Sequence, residues 1–338
     1  MVVQMTKRLR RAVTLPIVIV GIGSFLVSCT AATGEGGLEI TLAVETSAGD
    51  PLHDTLATFA DELENELGDE ASVRFLAGGA TGNEEAILQG TRAGEFDVAA
   101  VSGSVAALDP TFNIMEIPFL FEDRQEAGEF LDGEYGEEMS QSLQEVAGLS
   151  VLGFGENGFR HITTNSGPIE SPEDLAGQQI RTPGSPERVR VFEELGASPQ
   201  QIDIDETYLA LEQGVLDGQE NPLIVIDAFS FYEKQDYLAL TYHNYSPVYL
   251  VINEENFSEF PENVRQGMRE AAQAAALDSR QSGEEADAEL LADFEAAGMT
   301  VTEPDLEPFI EQVADIRKKI AEEIPGGLGA RVLAEYGE

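Results

Sequence analysis

Residues able to do covalent or metal chemistry are scarce in this 338-residue chain. Its three histidines are His53, His161 and His243, and none falls in an HExxH or comparable metal-ligating spacing. There is no GxSxG nucleophile elbow, no GxGxxG after the first strand, and no phosphate-cradling GK[ST] loop. Cys29 is the sole cysteine, so no internal disulfide can form. With 63 Asp and Glu residues, a pair such as Asp203 and Asp205 says little, and a solvated strand edge is its plainer account. These features point away from an enzyme, a resident metal or a cofactor. What remains is binding. Arg160 stands in Gly158-Phe159-Arg160 and Arg181 in Ile180-Arg181-Thr182-Pro183, both at strand positions beside Gly or Pro. An arginine held there presents a rigid planar fork, which matches a carboxylate through two parallel charge-assisted hydrogen bonds. The competing account pairs each arginine with one of the chain's many acids.

The elements that must position such arginines read as alternating strands and helices. Residues 38–44, 71–76 and 96–101 have strand character, and residues 54–67 form an amphipathic helix with Leu56, Phe59, Ala60, Leu63 and Leu67 on one face. Residues 83–93 form a second helix and 124–131 a third, with an apolar turn at 112–121 between strand and helix. This βαβαβ order predicts an α/β fold with a mostly parallel, helix-covered sheet. Farther on, residues 149–156 read as a strand, 160–164 as the start of another, and 179–182 as a third. Helices are expected at 186–195 and 206–213, each closed by a glycine, and apolar segments at 223–228 and 248–252. A long Ala/Glu/Gln-rich helix is expected over 261–297, with Ser282 and Gly283 as a break or bend, and a last long helix over 306–324. His53 reads as a helix-start residue, and Phe119 and Phe121 as core.

The amino terminus carries Lys7, Arg8, Arg10 and Arg11, then a short apolar run ending in Leu26-Val27-Ser28-Cys29. A basic region, an apolar core too short to span a bilayer and a small-residue cleavage site predict a secretory signal peptide over 1–28. The cysteine sits where a bacterial lipobox would place it, so Cys29 is the expected lipidation site and the membrane anchor. Residues 29–37, small and Gly/Thr-rich, read as a flexible tether. The formal net charge is −44. Such a chain has no surface for phosphate backbones, which excludes nucleic acid as a partner. Apolar residues remain plentiful, so an acidic surface on a foldable core fits a salty habitat, where screening relieves self-repulsion.

The order of short words after residue 157 is more specific than any one of them. Gly158-Phe-Arg-His-Ile-Thr-Thr, Ser171-Pro-Glu-Asp-Leu-Ala-Gly177, Ile180-Arg-Thr-Pro183, Glu206-Thr-Tyr-Leu-Ala-Leu-Glu-Gln-Gly214 and Gly218-Gln-Glu-Asn-Pro222 follow one another, with Ile117-Pro-Phe-Leu-Phe121 before and His243-Asn-Tyr after. Over essentially the whole mature chain this series resembles the periplasmic binding subunit of tripartite ATP-independent (TRAP) transporters, the DctP-like family. The resemblance implies a two-lobed periplasmic-binding-protein-like fold, each lobe a mostly parallel sheet flanked by helices, with a long lobe-spanning helix toward the C-terminus. Lobe I would take residues 38–157 with a return segment at about 247–280. Lobe II would take 158–246 with a C-terminal segment at about 281–338, and the chain would cross near Glu156 and Ser246. It further implies capture of a small organic acid, either a sugar acid such as a uronate or a four-carbon dicarboxylate, and delivery to a membrane permease. The same fold also serves ATP-driven importers and sensor systems, which stands as the alternative. By the same resemblance Arg181 grips the ligand carboxylate, Arg160 supports it and Asn221 hydrogen-bonds the ligand. The opposite lobe would contribute Glu45, Glu84 with Asn83 beside it, and Ser102 and Ser104. Ile204 stands where the family often has an aromatic. Glu45 and Glu84 either accept from ligand hydroxyls, which favours a sugar acid, or face solvent.

Overall fold

The protein, seen here as a computed structural model, is described over residues 38–337. The first half runs β1 (Leu38–Ala43), α1 (Pro51–Leu67), β2 (Ala71–Leu76), α2 (Glu84–Arg92), β3 (Val98–Val101), α3 (Arg124–Asp132) and α4 (Glu134–Ala147). Then come β4 (Leu149–Thr164), β5 (Gln179–Thr182), α5 (Pro186–Glu194), β6 (Ser198–Gln201), α6 (Ile204–Glu212), β7 (Gly218–Pro222), α7 (Leu223–Ala228) and β8 (Tyr237–Asn253). The chain closes with α8 (Glu254–Glu259), α9 (Glu262–Ala297), β9 (Thr300–Thr302), α10 (Glu307–Gln312), α11 (Ala314–Glu323) and α12 (Leu328–Tyr336).

Helix α1 shows how local chemistry sets these elements. Asp50 caps it by accepting from the Leu52 backbone N–H, and Pro51 fills the first turn, where a missing N–H costs nothing. The apolar stripe Leu52, Leu56, Phe59, Leu63 and Leu67 is buried against β1, β3 and the end of β8. Each such side chain contributes about 1.5–3 kcal/mol of burial free energy. His53 lies in the first turn of this helix, as expected, with its ring edge-on to Phe75.

Among the described residues the strands join one nine-stranded sheet in the order β2-β1-β3-β8-β4-β7-β5-β6, with β9 beside β8. At one end β2, β1 and β3 are parallel; at the other β7, β5 and β6 are parallel. Between them the long strands β4 and β8 run antiparallel to each other and serve both ends. The expected separate strands at 149–156 and 160–164 are thus one strand. The strand carries bulges, with register shifts between Val151 and Gly153, between Glu156 and Gly158 and between Arg160 and Ile162. Glu156 pairs with Pro247 and Gly158 with Ser246, so the two positions where the chain was expected to cross face each other.

Other expectations need correction. The long C-terminal helix runs unbroken through Ser282 and Gly283. Gly283 is explained by packing: a Cβ there would lie 2.6 Å from Glu156 Oε1. Gly153 has a similar reason, since a Cβ would meet the Ala272 carbonyl oxygen at 2.8 Å, so its absence lets α9 lie close on β4. The apolar stretch at 223–228 is helix α7, and the expected single helix at 306–324 is split into α10 and α11. Helix α4 and strands β6, β7 and β9 went unread; all but α4 are five residues or shorter, and β7 (Gly-Gln-Glu-Asn-Pro) lacks strand-forming side chains.

Candidate functional site

Between the two ends of the sheet, on the side reached by the loops after β1, β3 and β5, lies a cleft of about 190 Å³. Drug-sized pockets run to roughly 300–1,000 Å³, so this one suits a smaller molecule. Its walls include Glu45, Asn83, Glu84, Ser102 and Ser104 from the first part of the chain and Arg160, Arg181, Ile204 and Asn221 from the second.

Arg181 is carried on β5, in register with Gln200 of β6 and Gln219 of β7. It is 4% exposed, and its Nε donates to the Ile202 carbonyl at 2.8 Å, which fixes the plane of the guanidinium. Among the described residues no hydrogen bond or ion pair reaches its two terminal nitrogens, and it borders the cleft. Burial pulls its pKa down to about 10, so it stays charged at neutral pH. Glu220, Glu45 and Asp203 lie near enough to offset part of that burial, but none is hydrogen-bonded to the guanidinium, and a carboxylate entering the cleft would complete its pairing.

Arg160 has a different situation. On β4, opposite Pro222 and Asn244, its guanidinium forks onto Glu220 and also donates to Asn221 Oδ1 at 2.7 Å. Here pairing with an acid, the competing account, is what occurs. Arg160 Nη1 makes only a long 3.4 Å contact, to Ser246 Oγ, and both residues line the cleft. Asn221 also donates to Gln219 Oε1 at 2.6 Å, so its amide is locked in orientation.

Two residues of this network were not read from the sequence. Arg188, 3% exposed in the first turn of α5, donates to Glu116 at 2.9 Å, Glu220 at 2.9 Å and Asn244 at 2.7 Å. A cation at a helix N-terminus opposes the macrodipole, and that misfit was the available signal that Arg188 answers to acids elsewhere. Glu220 is fully buried on β7. Burial alone would raise its pKa, but Arg160, Arg188 and a hydrogen bond from His243 hold the carboxyl well below the usual carboxylate range. The signal for it was an acid inside a strand flanked by Gln219 and Asn221.

On the opposite wall Glu45 accepts from the Glu84 backbone N–H at 2.9 Å. Burial, with the nearby Glu84 carboxylate, pushes its carboxyl up to about 7. Glu84 Oε1 accepts from the Ser104 backbone at 2.8 Å. Asn83 caps α2 through the Ala86 N–H, and Ser102 Oγ donates to the Pro247 carbonyl, so both have structural duties besides lining the cleft. Ile204, half-buried at the start of α6, is an apolar piece of the wall. The cleft is therefore polarised, with the Arg181 guanidinium and its two open terminal nitrogens on one side and Glu45 and Glu84 on the other. Among the described residues, no group of three or more His, Cys, Asp or Glu could hold a metal ion.

Residues 42–324 match the model of DctP, the bacterial extracellular solute-binding proteins, family 7. The chain belongs to this family. Its DctP relatives include the 2,3-diketo-L-gulonate-binding periplasmic protein YiaO of Escherichia coli K12, 32% identical over 94% of this chain and 96% of the relative. Among solved structures, the sugar acid binding protein DctPAm of Advenella mimigardefordensis, in complex with galactonate, superposes with a TM-score of 0.84 at 27% identity, covering 89% of this chain and 98% of its own. A TRAP periplasmic solute-binding protein of Polaromonas sp. JS666 bound to D-erythronate gives 0.82 at 30% identity, covering 89% and 99%. The DctP assignment makes the chain an extracytoplasmic solute-binding protein of the TRAP type, a binder rather than an enzyme. The signal run at 1–28, the tether at 29–37 and Cys29 lie outside the described residues.

Proposed function

We propose that this chain is the solute-binding subunit of a TRAP transporter, that it captures a sugar acid by its carboxylate on Arg181, and that it hands the ligand to a membrane permease. One observation carries the reading: Arg181 is the buried cleft cation whose terminal nitrogens lack a partner among the described residues. Its Nε anchor leaves the fork free to take both oxygens of a carboxylate. Arg160 and Asn221 hold the fork's surroundings in place, and Arg160 Nη1 supplies a further donor. The acids of the far wall favour ligand hydroxyls and repel a second carboxylate, which selects a sugar acid over a four-carbon dicarboxylate. Relatives that bind 2,3-diketo-L-gulonate, galactonate and D-erythronate support the same class.

Lobe I, residues 38–157 with 247–280, and lobe II, residues 158–246 with 281–338, would close on the ligand by bending where β4 and β8 pass between them. The cleft walls drawn from both stretches support that division. Removal of residues 1–28 and lipidation of Cys29 would tether the protein at the outer face of the membrane through residues 29–37.

Calorimetry and thermal shift on the wild type, Arg181→Ala and Arg181→Lys test this. Galactonate and glucuronate should raise the melting temperature of the wild type, and galactose and succinate should not. Arg181→Ala should lose about 2–5 kcal/mol of binding. Arg181→Lys should also bind poorly, because a point charge cannot replace a fork. Equal binding by Arg181→Ala, or equal affinity for the neutral sugar, would falsify the assignment.

A further inference from the structure

Beside the cleft lies a second cavity of about 130 Å³. Glu45, Thr46 and Asp50 border both, so the second cavity adjoins the cleft as a side arm behind these three residues. The side arm is walled by the segment after β1 and by Gly79 on one side, and by Asp205 and Phe229 on the other. Asp205 was passed over in the sequence as a solvated strand edge; it stands instead in the first turn of α6, next to Ile204 of the cleft wall. A Cβ at Gly79 would sit 3.6 Å from Asp205 Oδ2, so this carboxylate reaches the backbone of the opposite wall.

The arm is rich in acceptors, and among the described residues no Lys, Arg or His lines it. Asp50 is 3% exposed, with its Oδ1 already taking the Thr46 hydroxyl at 2.7 Å and the Leu52 N–H at 2.9 Å. A wall of this kind asks for a guest that brings hydrogen-bond donors without negative charge. The guest's charge has its own seat, since Arg181, with its two terminal nitrogens open, lines the main arm.

We propose that the side arm receives the terminal hydroxyls of an open-chain, six-carbon sugar acid, and that Asp205 is the residue that sets ligand length. The proposal rests on the carboxylate of that ligand being held at Arg181. A four-carbon acid gripped there ends within the main arm, whereas a six-carbon chain passes Glu45 and meets Asp205. Burial pushes Glu45 up to about 7 and Asp50 up to about 6, so near pH 6 both hold protons part of the time and donate as well as accept.

The test is calorimetry at pH 7 with erythronate, xylonate and galactonate on the wild type, Asp205→Ala and Asp205→Asn. Asp205 is exposed, so neither change removes packing from the core. The wild type should bind galactonate roughly tenfold tighter than erythronate, the scale of one hydrogen bond to a charged group. Asp205→Ala should erase that preference by weakening galactonate alone, and Asp205→Asn, which keeps an acceptor oxygen, should retain part of it. An equal loss for all three acids in Asp205→Ala, or none, overturns the length role while the carboxylate reading stands. A wild type that binds none of the three acids sinks the carboxylate reading, and the length role with it.

Discussion

Glu45 and Asp50 line the cleft, and burial moves both carboxyls toward neutral pH, Glu45 the farther. The Glu45 carboxyl is pushed up from 4.5 to about 7, first by burial and then by Glu84, with Asp205 and Asp203 adding to the effect. The sign follows from which state releases its proton first. As pH climbs past 4.5 the unfolded chain ionises while the folded one holds its proton, so this group withdraws stability between about 4.5 and 7 and no more above. Asp50, raised from 3.8 to about 6, acts the same way over a lower window. Arg181, at about 10, stays charged throughout. Above pH 7 the ionised Glu45 would share the cleft with the carboxylate of a sugar acid held as proposed. Affinity for galactonate is therefore expected to fall a few-fold from pH 6 to pH 8, and Glu45→Gln to flatten the profile. A wild-type affinity that rises over the same interval would contradict the placement of Glu45 against the ligand.

At the scale of elements, α9 and β4 are held together at positions with no side chain. Gly283 lies deep inside a 36-residue helix, and propensity alone predicts that Gly283→Ala stabilises by about 0.5–1 kcal/mol. The packing predicts the reverse. The Cβ would press at 2.6 Å on Glu156 Oε1, and that carboxylate is not free to swing away. Arg124 Nε holds it at 2.6 Å, the Tyr245 hydroxyl at 3.0 Å, and it is 2% exposed. Overpacking a filled, hydrogen-bonded site costs about 1–3 kcal/mol. Urea denaturation decides between them: a higher midpoint for Gly283→Ala would show that Glu156 has slack that the packing denies.

The whole molecule carries its charge lopsidedly, 63 acids against 19 Lys and Arg, and several of those cations are spent inside. Arg160 and Arg188 are buried against Glu220 and Glu116, so the surface is left more one-signed than composition implies. Repulsion among exposed carboxylates weakens the compact state, and salt relieves it as the screening length falls from about 10 Å at 0.1 M to about 3 Å at 1 M. The melting temperature should therefore rise between those concentrations with KCl, and not only with sulfate, which strengthens apolar burial in any protein. A flat response to KCl would mean that the carboxylates are spaced too widely to matter.

What was legible in the residues was whatever local rules govern. The apolar stripe of α1 wrote its own helix, the alternation of β1 to β3 with α1 and α2 wrote a parallel half-sheet, and the Gly-x-Arg and Ile-Arg-x-Pro words marked Arg160 and Arg181. The fusion of β4 into one strand, the continuity of α9 through Gly283 and the commitment of Arg160 to Glu220 depend on residues far apart in the chain. Gly283 meets Glu156, and Arg188 meets Glu116 and Asn244, only after the sheet has closed. Local patterns report backbone preference and which face turns inward, and those act over a few residues. Whether a buried arginine is satisfied by the protein or left for a ligand depends on which acids the fold brings within hydrogen-bond reach, and that is decided in space. For Arg160 the fold supplied Glu220, and for Arg181 it supplied only the Ile202 carbonyl.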